Sequence, residues 1–409
     1  MSVIQDDPRG RPLGAQEYLF LGVTIAFWGL FVLWLGKDTS WDFRNYHWYI
    51  PYAFLNGREH IDMLVAHQAT YYNPLQDVPF YVLATHAPAW LTLFTLGAVQ
   101  GSNVVPLYLL ARHILRIDEF KLGAAALALL GQTGGLGLNM FGTTYYDNVM
   151  SVVILSSIAI LVLNQKRLNT GSLAQTAAIT AVAGFLTGCT VGLKLPEMPF
   201  AIGFAAALVA LGGDWKHQLV RLAAGGIAGA IGVAVCMGWW TLHLQETTGN
   251  PLFPYFNEQF KSPLALPAPY RDMRFLPTKF WIAAAFPILF SLNWAIADDI
   301  AFRDIRVVSA YITAIVAIII WVAGRRSRDP LVIPEAARPI MAYAAVSYFA
   351  WLKIFAIYRY IVGLEMFAPL IVAISIGLLP IARRTQLVAL GVLFLATLAF
   401  THVEYIDRA

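Results

Sequence analysis

The sequence predicts an all-α polytopic membrane protein. Of its 409 residues, 58% are hydrophobic and only 13% are charged, and the mean hydropathy is +0.62. Soluble globular chains carry about 25% charged residues. Apolar runs long enough to span a bilayer recur along the whole chain, and Lys and Arg cluster in the short segments between them. We therefore expect one transmembrane domain, residues 1–409, with about 11 transmembrane helices.

Runs of about 17 to 25 apolar residues set the expected spans. They lie near residues 17–36, 90–112, 121–141, 146–164, 174–192, 196–212, 219–241, 305–323, 339–357, 361–381 and 386–402. The first run is longer than the apolar region of a typical cleaved signal peptide, and no small-residue cleavage site follows it. It is therefore expected to remain as the first span.

One further apolar segment, residues 280–297, is predicted not to cross. It contains Pro287 and Asn293 and runs into a mixture of acidic and basic residues. If it does not cross, the basic clusters of the short loops all fall on the cytoplasmic side, as the positive-inside rule requires. The segment is therefore predicted to be a re-entrant or interfacial helix, with the N-terminus inside and the C-terminus outside.

Two longer segments, 37–89 and 242–304, are then external loops. The first begins with WDFRNYHWYIPYAFLNGR, in which polar residues recur at helical spacing, and it continues to a second expected helix over residues 75–83. Both helices are predicted to lie on the membrane surface. The apolar residues of the first helix that are expected to meet lipid are Phe43, Trp48, Ile50 and Phe54.

The polar residues at the outer ends of spans are the candidates for function, because polar groups at membrane depth are costly. They are Asp42, Asp62, Asp77, Asp147, Lys194, Glu197 and Arg359. The short cytoplasmic loops leave no room for a nucleotide-handling domain. The net charge of +4 comes from these small basic loops, so no nucleic-acid partner is predicted. Cys189 and Cys236 lie in apolar segments, which argues against a disulfide scaffold or a Cys-ligated metal.

Several motifs resemble those of a known family. They are WDFRNYHWYIPYAFLNGR, QATYYNPLQDVPFY, the Lys of TVGLKLP, GNPLFPYFN and YRYIVGLE, spread over residues 41–365. Together they resemble the GT-C superfamily of membrane glycosyltransferases, and within it the bacterial members that use a polyprenyl-phosphate sugar, such as glycosyltransferase family 87. Unlike the family pattern, the first loop has no acidic-x-acidic pair around Asp42. No metal or other cofactor is therefore predicted.

The resemblance implies transfer of a hexose or pentose from a polyprenyl-phosphate donor to an acceptor hydroxyl. The acceptor would be a glycan or glycolipid, at the outer face of the bacterial cytoplasmic membrane. The chemistry needs a base for the hydroxyl proton, for which Asp42 is the candidate. The leaving phosphate needs positive charge, for which Arg359, Lys194 and Lys353 are the candidates. The residues implied in acceptor or sugar binding are Asp147, Asn45, Tyr46, His47, Tyr72 and Glu365.

Each of these residues also has a simpler structural explanation. Asp42 and Asp147 are suited to capping helices, Arg359 to extending toward the interface, and Glu197 to neutralising Lys194. Two other functions stay open, a transporter or flippase of lipid-linked sugars and a polysaccharide ligase or polymerase. The sequence contains no convincing internal repeat of the kind common in transporters, which favours catalysis at the outer surface.

Overall fold

The structure is a computed structural model that describes residues 12–59, 61–62, 67–115 and 121–409. The described chain is almost entirely helical. Its only sheet within these ranges is one antiparallel pair of two-residue strands, β1 (Phe302–Arg303) and β2 (His402–Val403). The all-α fold class predicted from the composition is therefore correct.

The first part of the described chain, up to Thr170, contains nine α-helices. They are α1 (Ala15–Leu35), α2 (Tyr49–Leu55), α3 (Val78–His86), α4 (Ala89–Gly101), α5 (Val104–Ile114), α6 (Lys121–Gln132), α7 (Gly135–Asn139), α8 (Asp147–Leu163) and α9 (Gln165–Thr170). A single wide helical turn, Phe43–His47, precedes α2, and short 3₁₀ helices lie at His67–Tyr71 and Pro74–Gln76.

The second part, from Leu173 onward, contains ten α-helices. They are α10 (Leu173–Leu193), α11 (Met198–Ala210), α12 (Trp215–Val233), α13 (Trp239–Thr248), α14 (Asn257–Phe260), α15 (Phe280–Leu292), α16 (Arg306–Val322), α17 (Pro334–Ile354), α18 (Val362–Gly377) and α19 (Arg383–Phe400). A wide helical turn at Ala234–Gly238 joins α12 to α13. Three short 3₁₀ helices lie at Leu195–Glu197, Trp294–Ile296 and Tyr358–Ile361.

All eleven predicted apolar runs overlap helices, although the membrane itself is not part of the structure. In the described ranges, six helical stretches are long and apolar enough to cross a membrane. They are Ala15–Leu35, Ala89–Ile114, Leu173–Leu193, Trp215–Thr248, Tyr358–Gly377 and Arg383–Phe400. Five further apolar helices are shorter than 18 residues. The structure is thus compatible with a multi-pass membrane protein, and the number of about 11 crossings stays a prediction.

The centre of the molecule is α18, every residue of which is buried. A helix that is apolar on all sides belongs in a core, and α18 has few polar side chains. The helices α16, α6 and α8 pack around it. Outside this core, α1 packs along α4, α11 along α17, and α10 along α12. In the pair of α10 and α12, Lys194 follows directly after α10. The helix α12 leads into the turn at Ala234–Gly238.

The segment predicted to be re-entrant begins and ends at one place in the structure. Arg274 lies before α15 and Asp299 lies after it, and their side chains form an ion pair with a separation of 2.7 Å between Nη2 and Oδ2. A single complete crossing between these residues would separate them by about 30 Å. The helix α15 itself has 13 residues, which corresponds to about 20 Å. The contact is compatible with a segment that does not complete a crossing, and the re-entrant path stays a prediction.

The prediction for the first external loop was wrong in one respect. Helices do form at Phe43–His47, Tyr49–Leu55 and Val78–His86. However, Phe43 and Ile50 are buried within the protein, whereas Trp48 and Phe54 are partly exposed. Two of the four apolar residues expected to meet lipid therefore pack onto the rest of the chain.

The topology is testable because Arg325 and Arg359 lie at opposite ends of α17, which has 21 residues. The backbone N–H of Arg359 donates to Asp298, so the exposed Asp299 marks the same end as Arg359. We expect a membrane-impermeant maleimide, added outside, to label Asp299→Cys and not Arg325→Cys. The measurement uses a background in which both native cysteines are replaced by alanine. Labelling of both positions from one side contradicts the topology.

Candidate functional site

A cavity of about 130 Å³ lies where the first external loop meets the ends of three helical segments. Its wall is formed by side chains within residues 46–47, 71–77, 145, 192–196, 237–255 and 359–360. The lining contains two cationic side chains, Arg359 and Lys194, and one carboxylate, Asp77. These residues come from segments far apart in the sequence. The fold therefore assembles the cavity from the ends of several helices and not from one local motif.

Arg359 enters the cavity from the 3₁₀ helix between α17 and α18. Its backbone N–H donates to Asp298 Oδ2 at 2.8 Å, which fixes the chain at this point. Burial raises the pKa of Asp298 to about 6, and the charge of Arg359 opposes that rise. The guanidinium lies over the rings of Tyr145 and Tyr360, with centroid distances of 5.2 and 5.3 Å. Such cation–aromatic contacts hold the side chain in a defined direction.

Lys194 reaches the same cavity from the end of α10. Its Nζ donates to the backbone carbonyl of Tyr145 at 2.8 Å and to Asp147 Oδ1. The ammonium also lies 5.6 Å from the centre of the Tyr360 ring. Lys194 thus forms a hydrogen-bonded pair with Asp147, and it also interacts electrostatically with the predicted partner Glu197. Lys194 is 12% exposed, so the ammonium has limited contact with solvent.

Asp42 lies beside the cavity, behind two of the residues that line it. Its Oδ2 accepts a hydrogen bond from the Tyr46 hydroxyl at 2.5 Å. The same oxygen lies 3.4 Å from Arg359 Nη1. The structure therefore brings the predicted base and a predicted phosphate ligand into contact, although they are separated by 317 positions in the chain.

His47 and Asp77 form the closest pair in the wall. His47 Nδ1 lies 2.7 Å from Asp77 Oδ1, and both side chains are buried. Burial raises the pKa of Asp77, and the nearby His47 opposes this effect. The rings of Tyr46 and Tyr146 contact the imidazole at centroid distances of 4.3 and 5.6 Å. The imidazole is therefore held by both polar and aromatic neighbours.

Three hydrogen bonds hold the loop of residues 37–89 against the helices that follow it. Asn73 Nδ2 donates to the backbone carbonyls of Gly192 and Cys236, at 3.0 and 2.8 Å. Trp240 Nε1 donates to the Tyr71 carbonyl at 3.0 Å. These bonds join the loop to the end of α10 and to the turn between α12 and α13. They fix the position of Lys194 relative to the loop residues of the wall.

Eight aromatic residues belong to the remaining wall. They are Tyr46, Tyr71, Tyr72, Tyr145, Trp240, Phe253, Tyr255 and Tyr360. The hydroxyl of Tyr255 donates to that of Tyr72 at 3.3 Å. Such a mixture of aromatic faces and hydroxyl groups is suited to a ligand with both apolar and hydroxylated surfaces.

Five predicted site residues do not line the cavity. Asp42 and Asp147 are hydrogen-bonded to residues that do, and the other three are Lys353, Asn45 and Glu365. Lys353 is exposed in the last turn of α17 and does not belong to the wall. Asn45 donates to the backbone carbonyl of Trp41 within its own helical turn. Glu365 is fully buried and accepts from the backbone N–H groups of Leu136 and Gly137. Their predicted roles in phosphate or sugar binding have no geometric support at this cavity.

The alternative explanation of Asp147 as a helix cap is also wrong. The cap position of α8 is Tyr146, whose backbone has φ = 64°, a left-handed conformation that is unfavourable for a bulky residue. Asp147 is the first residue of the helix, and its carboxylate binds Lys194. The turn at Tyr146 brings the Tyr145 carbonyl to Lys194 and the Tyr146 ring to His47. Backbone strain at such positions is often associated with function.

Sequence reasoning identified Arg359, Lys194 and His47 and missed the pairing of His47 with Asp77. The residues are 30 positions apart, and no spacing rule connects them. In the described part of the chain, no group of three or more His, Cys, Asp or Glu side chains is arranged to hold a metal ion. Comparison of the chain with protein-family models, curated proteins and solved structures gives no match.

Proposed function

We propose that the protein is a polytopic membrane glycosyltransferase with a GT-C-like fold and about 11 crossings. It transfers a sugar from a polyprenyl-phosphate donor to a hydroxyl of a glycan or glycolipid. The reaction takes place at the outer face of the bacterial cytoplasmic membrane. The donor phosphate binds at the cavity between Arg359 and Lys194. The sequence-derived candidate for the base is Asp42.

The observation that carries the proposal is the meeting of two cations from distant segments at one cavity that is rich in aromatic residues. Of the Arg359 guanidinium donors, only Nη1 has a hydrogen-bond partner among the described residues, so the others are available to a ligand. Lys194 uses its ammonium for two protein contacts and retains a third N–H. Both cations are held in place before a ligand arrives.

This arrangement suits the departure of a phosphate. When the bond from the sugar to the phosphate oxygen breaks, a second negative charge develops on the lipid phosphate. Cations held in advance in a water-poor site stabilise such charge better than flexible ones. An arginine can bind two phosphate oxygens at once, whereas a lysine acts as a point charge. The two side chains therefore supply complementary contacts for the leaving group.

The test is the affinity of the full-length protein in nanodiscs for undecaprenyl phosphate, with undecaprenol as the neutral control. We expect Arg359→Ala and Lys194→Ala each to lower the affinity by about 10- to 100-fold, since a hydrogen bond to a charged group contributes about 1.5–3 kcal/mol. Arg359→Lys should also weaken binding, because it loses the planar fork while keeping the charge. With the double variant, these measurements form a double-mutant cycle, which shows whether the two cations act on one ligand.

Lys353→Ala is the matched control, because it removes a cation six positions from Arg359 that does not line the cavity. Its affinity for undecaprenyl phosphate should equal that of the wild type. If Arg359→Ala and Lys194→Ala bind undecaprenyl phosphate as tightly as the wild type, the phosphate does not bind here and the proposal fails. Equal binding of undecaprenol and undecaprenyl phosphate leads to the same conclusion.

A further inference from the structure

The pair formed by His47 and Asp77 has the geometry of an imidazole oriented by a carboxylate. The Nδ1 to Oδ1 distance is 2.7 Å, and both residues line the cavity that contains Arg359 and Lys194. An ionised carboxylate only accepts hydrogen bonds. In the neutral imidazole, the proton therefore lies on Nδ1, and Nε2 carries a free lone pair.

The second ring nitrogen is available to a ligand. No described residue forms a hydrogen bond with His47 Nε2 in the structure. The ring cannot turn freely, because the rings of Tyr46, Tyr145 and Tyr146 surround it at centroid distances of 4.3 to 6.2 Å. An oriented imidazole with one free nitrogen is the usual form of a general base in enzymes.

Unlike Nε2 of His47, the carboxylate of Asp42 already has hydrogen-bond contacts within the protein. Its Oδ2 already accepts from Tyr46 and lies beside the guanidinium of Arg359. Asp42 also does not line the cavity itself. These contacts suit a carboxylate that orients Arg359.

We propose that His47 is the proton acceptor of the transfer reaction and that Asp77 is its positioning residue. This inference rests on the proposed function and competes with the assignment of Asp42 as the base. As the acceptor oxygen bonds to the anomeric carbon of the sugar, its proton moves to His47 Nε2. The bond between that carbon and the phosphate oxygen breaks, and its electron pair stays on the polyprenyl phosphate. The imidazolium then releases the proton to water.

The charged and titratable groups around His47 define its electrostatic surroundings. Those that contact the imidazole are Tyr46, Asp77, Tyr145 and Tyr146. Those that share its cavity without a recorded contact are Lys194, Arg359, Tyr71, Tyr72, Tyr255 and Tyr360. Only Asp77 is directly bonded to the imidazole among the described residues. Asp77→Asn removes the anion next to the imidazolium that forms during the transfer, so turnover should fall.

The experiment uses full-length protein in nanodiscs and a panel of labelled undecaprenyl-phosphoryl hexoses and pentoses. Single-turnover release of the sugar to water is followed for the donor that the wild type uses fastest. We expect His47→Gln to slow this step by about 10²- to 10⁴-fold, the usual contribution of a general base. Its affinity for undecaprenyl phosphate should be unchanged. For His47→Ala, added imidazole should restore part of the rate, which a purely structural role does not predict.

Asp77→Asn should slow turnover and leave the affinity for undecaprenyl phosphate unchanged. The matched control is His86→Gln, which changes an exposed histidine at the end of α3 and should behave as the wild type. Wild-type turnover in His47→Gln overturns the proposal, as does wild-type turnover in Asp77→Asn when Asp42→Asn abolishes turnover. In either case, retained binding of undecaprenyl phosphate leaves the proposed function intact. Absence of that binding in the wild type overturns both.

Discussion

Replacement of Gly188 by alanine is expected to lower the free energy of unfolding by about 1–3 kcal/mol, the usual cost of overpacking. Replacement by leucine should cost more. A Cβ at Gly188 would collide with the backbone oxygen of Gly229 on the neighbouring helix α12. Backbone atoms cannot turn away as a flexible side chain can. The two helices would therefore have to separate along their contact.

The contact extends over several turns. A Cβ at Gly184 would collide with the Gly225 backbone, and a Cβ at Gly232 with the Phe185 carbonyl. Small residues spaced by four positions let helix backbones approach closely in membranes, where packing supplies much of the association energy. The helix α10 ends immediately before Lys194, so loss of this packing would also displace a cation of the cavity.

Gly226→Ala is the matched control for Gly188→Ala. Gly226 lies on α12 next to Gly225, but a Cβ there meets no atom within 4 Å. Alanine also favours a helix over glycine by about 1 kcal/mol, so this variant should be as stable as the wild type or more stable. Unfolding in detergent, followed by circular dichroism, measures both variants. Equal stability of Gly188→Ala and Gly226→Ala would show that the helices can adjust without cost.

The helix positions were largely predictable, because an apolar run reports directly on burial or contact with lipid. The run near residues 174–192 is the helix Leu173–Leu193 in the structure. The break between α4 and α5 was not predicted from the continuous run near 90–112. There the Asn103 side chain donates to the Asn148 carbonyl on α8. Such an interruption depends on a tertiary contact, which the hydropathy of the sequence does not reveal.

The candidate site was predictable only as a set of separate residues. Polar groups at the ends of spans identified Arg359 and Lys194, which both line the cavity. Their carboxylate partners Asp42 and Asp147 come from segments 317 and 47 positions away. No local spacing predicts which cation meets which carboxylate. Glu365 was also selected because it is polar, but in the structure its side chain is buried in the core.

Loss of the buried carboxylate of Asp304 should cause the second large change in stability. Asp304 and Arg306 are almost fully buried, and Asp304 accepts from both the backbone N–H and Nε of Arg306, at 2.7 and 2.9 Å. Asp304 also accepts from the Gly135 backbone, next to the amides that bind Glu365. Asp304→Asn leaves the guanidinium without its bonded anion in the core. We expect a loss of about 3–5 kcal/mol of unfolding free energy, as for other broken buried ion pairs.

The chain contains its own matched control for this substitution. Asp272 and Arg274 form the same Asp-x-Arg pair, with the Asp272 carboxylate accepting from the Arg274 backbone N–H and Nε at 3.0 and 3.1 Å. Here the Arg274 side chain is 63% exposed, whereas that of Arg306 is 1% exposed. Exposed pairs contribute about 0–1 kcal/mol, so Asp272→Asn should have little effect. The free energies of unfolding of both variants, measured in detergent, therefore compare the same Asp-x-Arg geometry at a buried and at an exposed position. If they lose equal stability, burial is not the reason that Asp304 matters.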